Sequence, residues 1–375
     1  MKYENFIVSE KISRVPLEDI SVHSKASYPT TPLFSVIMRT QGLRRDLMEQ
    51  AIVCLVAQEC QDFELVVVMH NVKSDGCETV EKLIGDFGPQ LKDRVTIVSL
   101  QGGQRGVPLN AGIDVSRGDY IVFLDDDDLV FAHWLSEFKR VGELNPGKIV
   151  RSRCVDRFVT SVNNSRIPSY VESGLQDDRA RTFSLTQHFF ISQTVIHSYA
   201  TPRASVISAE SYFDETFPVV EDWDFLLRNA ELWGVVDTDS ITCVYNRWTN
   251  SGSSLHLHER DTWEQLHNRV LQRFSKRGVL VGPGELVNLY RMWLEHERFK
   301  TFAASMLSSG DSLMINKKEN ALCRSIQYVQ HQKSLPHDPS AKQAVKVLAK
   351  KVIPRRLHRK FAQLLRFLTA RRGRR

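Results

Sequence analysis

Four consecutive aspartates, Asp125 to Asp128, follow the apolar run Tyr120-Ile121-Val122-Phe123-Leu124. Carboxylates held a few Å apart raise one another's pKa and repel unless a cation neutralises them. Hard divalent cations such as Mg²⁺ and Mn²⁺ take such oxygen ligands and commonly share them with substrate phosphates. An isolated acidic run is more often a solvated loop or a helix N-cap. The five-residue run ahead of it, β-branched and aromatic with polar flanks, reads as a buried strand. Open α/β sheets bind ligands at strand carboxyl ends, so the expectation is a metal and nucleotide-diphosphate site there.

Four strand–helix alternations position that run. Residues 33–38 read as a strand, and Leu47, Met48, Ala51, Ile52, Leu55 and Val56 repeat at helical spacing. Phe63 to Met69 is a second apolar strand, residues 77–87 a helix and Val95 to Leu100 a third strand. Pro108 to Val115 reads as a short helix, Tyr120 to Leu124 as the fourth strand and Phe131 to Leu144 as the next helix. Strands that are apolar throughout and alternate with helices indicate an α/β fold, a mostly parallel sheet with helices on both faces. Right-handed crossovers bring Thr40-Gln41-Gly42, His70-Asn71, Gln101 to Gly106 and the aspartates to one edge. Neither a GxGxxG fingerprint nor a GxxxxGK[ST] loop is present.

Composition sets the frame. The 375 residues, 42% hydrophobic and 25% charged, are those of a globular chain with room for a large domain and an appendage. The net charge of +6 is a property of residues 341–375, which hold thirteen Lys and Arg and no acid. Without them 37 basic residues face 44 acidic ones, so the body is mildly acidic and nucleic acid is not its expected partner. Six cysteines are scattered without a CxxC pair, which argues against a zinc module or a disulfide framework and suits a reducing cytoplasm. The first residues lack a signal-peptide core, and no stretch has the length of a membrane span.

Four segments resemble the family 2 inverting glycosyltransferases of the GT-A (Rossmann-like) fold. They are FSVIMRTQ, LVAQECQDFELVVV, LNAGIDVSRGDYIVFLDDDD and VVEDWDFLLRNA, which lie in one order across about residues 33–260. The resemblance implies transfer of a sugar from a nucleotide-diphosphate sugar to an acceptor hydroxyl with inversion, assisted by Mn²⁺ or Mg²⁺. It puts a DxD motif on Asp125 and Asp127. Asp127 is then the principal metal ligand, Asp125 a contact to ribose or to a metal-bound water, Asp126 a further donor contact and Asp128 a fourth candidate. It puts the general base on Asp222, with Glu221 the alternative, and leaves Asp224 pointing away. Trp223 is expected to shape an acceptor pocket. Arg39, Thr40 and Gln41 fall where the nucleotide is held. The acidic pair common after the second strand is replaced by His70-Asn71, so Asn71 or Asp75 is left to meet the base. His70 reads as a satisfied loop histidine. Arg105 is a diphosphate or base contact, and Gly106 and Asn110 shape the following helix start. His256 and His258 are candidate further metal ligands.

The expected organisation is an N-terminal extension (1–32), a catalytic domain (33–260) with a nucleotide-sugar half (33–130) and an acceptor half (131–260), a helical region (261–340) and a basic amphipathic tail (341–375). Residues 151–215 read as irregular and as the acceptor side. The tail suits an anionic membrane surface, hence a peripheral enzyme at the inner face of the membrane acting on a glycan or lipid-linked acceptor. Two other classes remain open. A nucleotidyltransferase would need a basic Gly-rich loop near the first strand, of which RTQGLRR is a poor version. A catalytically inactive relative would serve as a binding or scaffold protein.

Overall fold

The computed structural model describes residues 12, 14, 20–27, 30–91, 93–162, 170–192, 194–249, 260–275, 279, 282–291 and 294. They belong almost wholly to one compact unit, Met1–Glu285. His256, His258 and the basic tail lie outside the described residues.

A mixed, largely parallel sheet of ten strands forms the centre. Strand β1 (Ser21–Ser24) is an edge strand, followed along the sheet by β4 (Val95–Leu100), β3 (Phe63–His70), β2 (Phe34–Thr40), β5 (Tyr120–Phe123), β9 (Tyr199–Pro202), β7 (Ile149–Ser161), β10 (Val235–Trp248) and β6 (Leu129–Val130), while β8 (Tyr170–Glu172) pairs with β7. The β4-β3-β2-β5 block and the β7–β10 pair are parallel, and β9 joins them antiparallel. The chain leaves β2 in one direction through β3 and β4 and returns to its other side at β5. The gap between β2 and β5 is therefore the topological switch point where α/β sheets hold ligands.

Alternation along the strands divides the core in two, as a period of two requires. Val36, Met38, Leu65, Val67 and Val122 pack with α1 (Arg45–Val56), α2 (Ser74–Asp86) and α5 (Trp134–Leu144). Ile37, Val66, Val68, Ile121 and Phe123 pack on the other face with α4 (Gly106–Val115) and α8 (Glu221–Trp233). Val270 and Phe274 of α9 (Arg260–Ser275) join this second core. The expected sheet with helices on both faces is thus present.

Several local readings differ; the helix read over residues 77–87, for one, spans Ser74–Asp86. Residues 151–215 are not irregular: β7 runs for 13 residues and pairs with the 14-residue β10. Arg151, Arg153, Asp156 and Arg157 interrupt its apolar pattern, because these charged groups are paired within the fold rather than left to solvent. Helix α5 starts at Trp134 rather than Phe131, since Leu129 and Val130 pair with β10 first. Helix α4 starts two residues earlier than read, at Gly106.

The turn that feeds β5 is fixed from the opposite edge of the sheet. Fully buried Glu64 accepts from Ser35 Oγ at 2.7 Å, from the Arg117 amide at 2.6 Å and from Arg117 Nε at 3.0 Å. The Gly118 amide donates to Ser35 Oγ at 2.7 Å. A Cβ on Gly118 would stand 2.5 Å from Ser35 N and 2.6 Å from the Phe34 carbonyl carbon, both backbone atoms that cannot swing aside. Gly118→Ala is therefore expected to destabilise the fold by about 1–3 kcal/mol, the range for overpacking. Chemical denaturation read by far-ultraviolet circular dichroism checks this; an unchanged midpoint would show that the β2–β5 packing is looser than described.

Candidate active site

The carboxyl ends of β2, β3, β4 and β5 open onto one cleft of about 390 Å³, within the usual range for small-molecule sites. Arg39, Thr40 and Gln41 enter it from β2, His70 from β3, Gln104 and Arg105 from the loop after β4, and Asp125 to Asp128 from the loop after β5. Tyr245, Asn246 and Trp248 of β10 close the far side.

Arg39 sits at the centre. Its Nε and Nη2 donate to the two carboxylate oxygens of Asp125 at 2.8 and 3.2 Å, and Nη1 donates to Glu221 Oε1 at 3.1 Å. Arg105 Nε donates to the same Glu221 oxygen at 2.9 Å. Burial opposes the ionised forms of Asp125 and Glu221, but the guanidinium groups outweigh it and hold both carboxyls below the ordinary range. The acidic run and the Glu221-Asp222 pair, far apart in sequence, thus share one arginine.

The other aspartates are held differently. Asp126 accepts from Thr40 Oγ1 at 2.6 Å, and burial together with Asp127 pushes its pKa to about 7. Asp127 accepts from Trp248 Nε1 at 2.8 Å and pairs with Arg44, whose guanidinium lies over the Trp248 ring at 4.8 Å. Asp128 does not cap a helix. It is buried, accepts from the Asn246 amide at 2.7 Å and lies 3.2 Å from His197 Nδ1. Burial would lower the His197 pKa, but Asp128 raises it to about 9.

Asp222 stands at the start of α8 and is half-buried, with its Oδ1 accepting from the Trp223 amide at 2.8 Å. Burial, then the charge of Glu221, push its pKa to about 6. Val220, immediately before, has φ of 59°. A β-branched residue in the left-handed region costs of order 1–3 kcal/mol, a strain that collects at functional sites.

Several expected site residues are placed elsewhere. Trp223 shapes no part of the cleft: its indole is buried in the second core, donates to the His188 carbonyl at 2.6 Å and stacks on His267. Asn110 is fully buried inside α4 rather than at its start. Its amide is committed to the Phe213 carbonyl, the Phe213 amide and Glu215, so it staples α4 to residues 213–215. Asp75 is exposed on the first turn of α2, accepting from the Gly76 amide. Asn71 ties two loops together by accepting from the Gly102 amide at 2.6 Å, and its φ of 57° suits asparagine. His70 lies 2.7 Å from the Gly102 carbonyl and is a satisfied loop histidine. Asp224 points into the core, where Arg228 and Arg273 bind it. Arg44, His197, Asn246 and Trp248 escape a motif reading, because each reaches the aspartates across the fold and none stands in a recognisable short pattern.

The charges of this cluster do not cancel. Six carboxyls (Asp125, Asp126, Asp127, Asp128, Glu221, Asp222) face four cations (Arg39, Arg44, Arg105 and protonated His197). Burial raises the carboxyls of Asp126, Asp127 and Asp222 above the ordinary range and that of Asp128 well above it, so the four cations do not offset the whole cluster. A cleft lined by Asp125 to Asp127, whose carboxyls crowd one another, fits a divalent cation.

Asp126→Asn keeps an acceptor for Thr40 and removes a carboxylate that resists ionisation. Above pH 7 the native protein carries that unfavourable charge, whereas below about pH 4 the carboxyl is neutral in both folded and unfolded chains. The variant is therefore expected to be more stable than the parent at pH 8 by on the order of 2 kcal/mol, with the gain fading as pH falls from about 7 to 4. Thermal melts across that interval check it; a variant less stable at pH 8 would refute the charge surplus.

The family model "Glycosyl transferase family 2" matches residues 35–196, from β2 to the turn that carries His197. The uncharacterized glycosyltransferase MJ1057 of Methanocaldococcus jannaschii is 22% identical over 197 residues, 52% of this chain and 64% of that protein. The GalNAc(5)-diNAcBac-PP-undecaprenol beta-1,3-glucosyltransferase of Campylobacter jejuni is 33% identical over 107 residues, 28% of this chain and 33% of that protein. Among solved structures, mannosyltransferase PcManGT from Pyrobaculum calidifontis, in complex with GDP-Man and Mn²⁺, aligns with a TM-score of 0.48 and 14% identity over 88% of each chain. The match thus spans less than two thirds of either curated relative's length. Residues 35–196 are therefore similar to the glycosyl transferase family 2 domain.

Proposed function

We propose that this chain transfers a sugar from a nucleotide-diphosphate sugar to an acceptor hydroxyl, with inversion at the anomeric carbon, in the synthesis of a cell-surface polysaccharide or glycolipid. The observation that carries the reading is the convergence of Asp125 and Glu221 on Arg39 in a chain similar to glycosyl transferase family 2 over residues 35–196. It brings a run suited to metal and diphosphate beside a carboxylate pair suited to proton abstraction.

Each residue then has a task. Thr40, Gln41 and Arg39 form the floor against which the nucleotide lies, and Arg105 and Arg44 offer guanidinium forks to diphosphate oxygens. Asp127 and Asp125 would hold a divalent cation, which would neutralise the charge that builds on the departing diphosphate. Asp222, with a pKa near 6, is ionised at neutral pH yet basic enough to accept a proton. The acceptor oxygen bonds to the anomeric carbon from the face opposite the diphosphate. The carbon–oxygen bond to the diphosphate breaks with its electron pair, and the acceptor's proton passes to Asp222. Glu221, neutralised by two arginines, positions Asp222 and raises its pKa.

A lipid-linked acceptor is supported by the undecaprenol-linked substrate in the name of the Campylobacter relative and by the basic segment 341–375, which suits an anionic inner membrane face. Among the described residues no helix is long and apolar enough to cross a membrane, so attachment would be peripheral.

Two measurements test this. In thermal unfolding against UDP, GDP, dTDP, ADP and CDP with and without Mn²⁺, one nucleotide should raise the melting temperature in a metal-dependent way, and Asp127→Ala should abolish the shift. Absence of any shift would favour the inactive scaffold reading. Once the donor is known, kcat/KM should fall about tenfold per pH unit below pH 6, and Asp222→Asn should lose about 10²–10⁴ in kcat while melting like the parent. Retained activity in that variant would move the base elsewhere.

A further inference from the structure

The scattered cysteines do not stay scattered. In the parallel register of β7 and β10, Cys154 is the direct partner of Cys243. The 3-10 turn Ile196–Ser198 lays His197 against them, and the two sulfurs and an imidazole nitrogen all lie within 4.8 Å of one another. We propose that Cys154, Cys243 and His197 form a buried site for a thiophilic cation, Zn²⁺, separate from the acidic cleft.

Geometry, orientation and charge each support it. His197 Nε2 is 3.8 Å from Cys154 Sγ. Three atoms about 3.8 Å apart have a common centre about 2.2 Å from each, close to the roughly 2.3 Å and 2.0–2.1 Å of zinc–sulfur and zinc–nitrogen bonds. The cluster spans at most 4.8 Å, so binding would draw its widest pair together by up to about 1 Å.

The imidazole is aimed. Its Nδ1 lies 3.2 Å from Asp128 Oδ2, and its backbone carbonyl is held by Trp134 Nε1 at 2.8 Å. Nδ1 makes no aligned hydrogen bond at that distance, so Asp128 acts on the ring as a nearby charge, and Nε2 is the nitrogen turned toward the sulfurs. Both thiols otherwise meet main-chain carbonyls as weak partners, Cys154 Sγ at 3.5 Å from the Val155 oxygen and Cys243 Sγ at 3.8 Å from the Arg153 oxygen.

All three side chains are buried, with exposures of 0–2%. A charge left uncompensated there is costly. Two thiolates balance one Zn²⁺, whereas a monovalent soft ion such as Cu⁺ would leave a net negative charge, and a hard ion would not select sulfur. On binding, the two thiol protons and any proton on His197 Nε2 leave to solvent, and nothing is oxidised or reduced. With three protein ligands, the fourth position falls to a main-chain carbonyl or a trapped water. Because Asp128 holds the far side of the imidazole, the ion would brace the end of the aspartate loop.

The test uses the full chain purified without chelators or a histidine tag. Elemental analysis should find roughly one zinc per chain, retained in Asp127→Ala and lost in Cys243→Ala and Cys154→Ala. Exchange with Co²⁺ in the unaltered chain should give sulfur-to-cobalt charge-transfer bands, a readout independent of whether the variants fold. Among the described residues no cysteine lines the acidic cleft, so a metal bound by its aspartates cannot give those bands. Less than about 0.1 zinc per chain after refolding with Zn²⁺, together with no such bands, would overturn the site. So would copper in place of zinc, or a mass lower by two hydrogens that marks a Cys154–Cys243 disulfide.

Discussion

Negative charge crowded into a partly dry strand end is the constraint on which the rest of this structure depends. A single strand, β5, delivers four carboxyls to one place, and α8 sets Glu221 behind them on Arg39 and Arg105, with Asp222 beside it. Charges at such separations interact by several kcal/mol where water is scarce. Every element around the cleft bears a countermeasure. β2 contributes Arg39, the residue preceding α1 is Arg44, the loop before α4 holds Arg105, and the turn beside β9 holds His197. Because one guanidinium serves both Asp125 and Glu221, the distance between the aspartate loop and α8 is set by the span of that side chain.

This compensation is deliberately incomplete in physical effect. Asp126 and Asp222 hold pKa values displaced toward neutrality, so the folded chain carries an electrostatic cost that a sequence selected for stability alone would avoid. Val220 adds backbone strain at the same spot. Both costs are borne by a scaffold of two well-packed cores.

The sheet and the edge where the cleft opens were legible in sequence for the same reason. Continuous apolar runs such as FELVVVM are unmistakable when a strand is covered on both faces, and right-handed crossovers leave little freedom over where Arg39, Arg105 and Asp125 must meet. The long β7–β10 pair was hidden, since its charged positions are satisfied by partners that only the fold supplies, as Arg151 is by Asp237 and Asp156 by Arg179. Trp223 and Asn110 show the opposite failure. Each neighbours a motif that suggested a ligand contact, yet helical geometry turns both side chains inward, where the core and the 213–215 segment take them. Side-chain direction on a helix is fixed by phase, and a motif does not carry the phase relative to the core.

The same limit explains the residues that no motif disclosed. Trp248, Asn246 and Cys243 are near neighbours on β10, but their partners are Asp127, Asp128 and Cys154, all on other strands or loops. β10 therefore does two things at once. Its main chain and side chains clamp the acidic loop through Asn246 and Trp248, and its pairing with β7 sets Cys243 opposite Cys154 beneath His197. Since His197 also contacts Asp128, the loop is gripped from β10 directly and from the buried cluster indirectly. A disturbance of the β7–β10 register would move both grips together, because a one-residue slip reverses the facing of every side chain on the strand. The position of the carboxyls thus depends on a strand pair that contributes none of them.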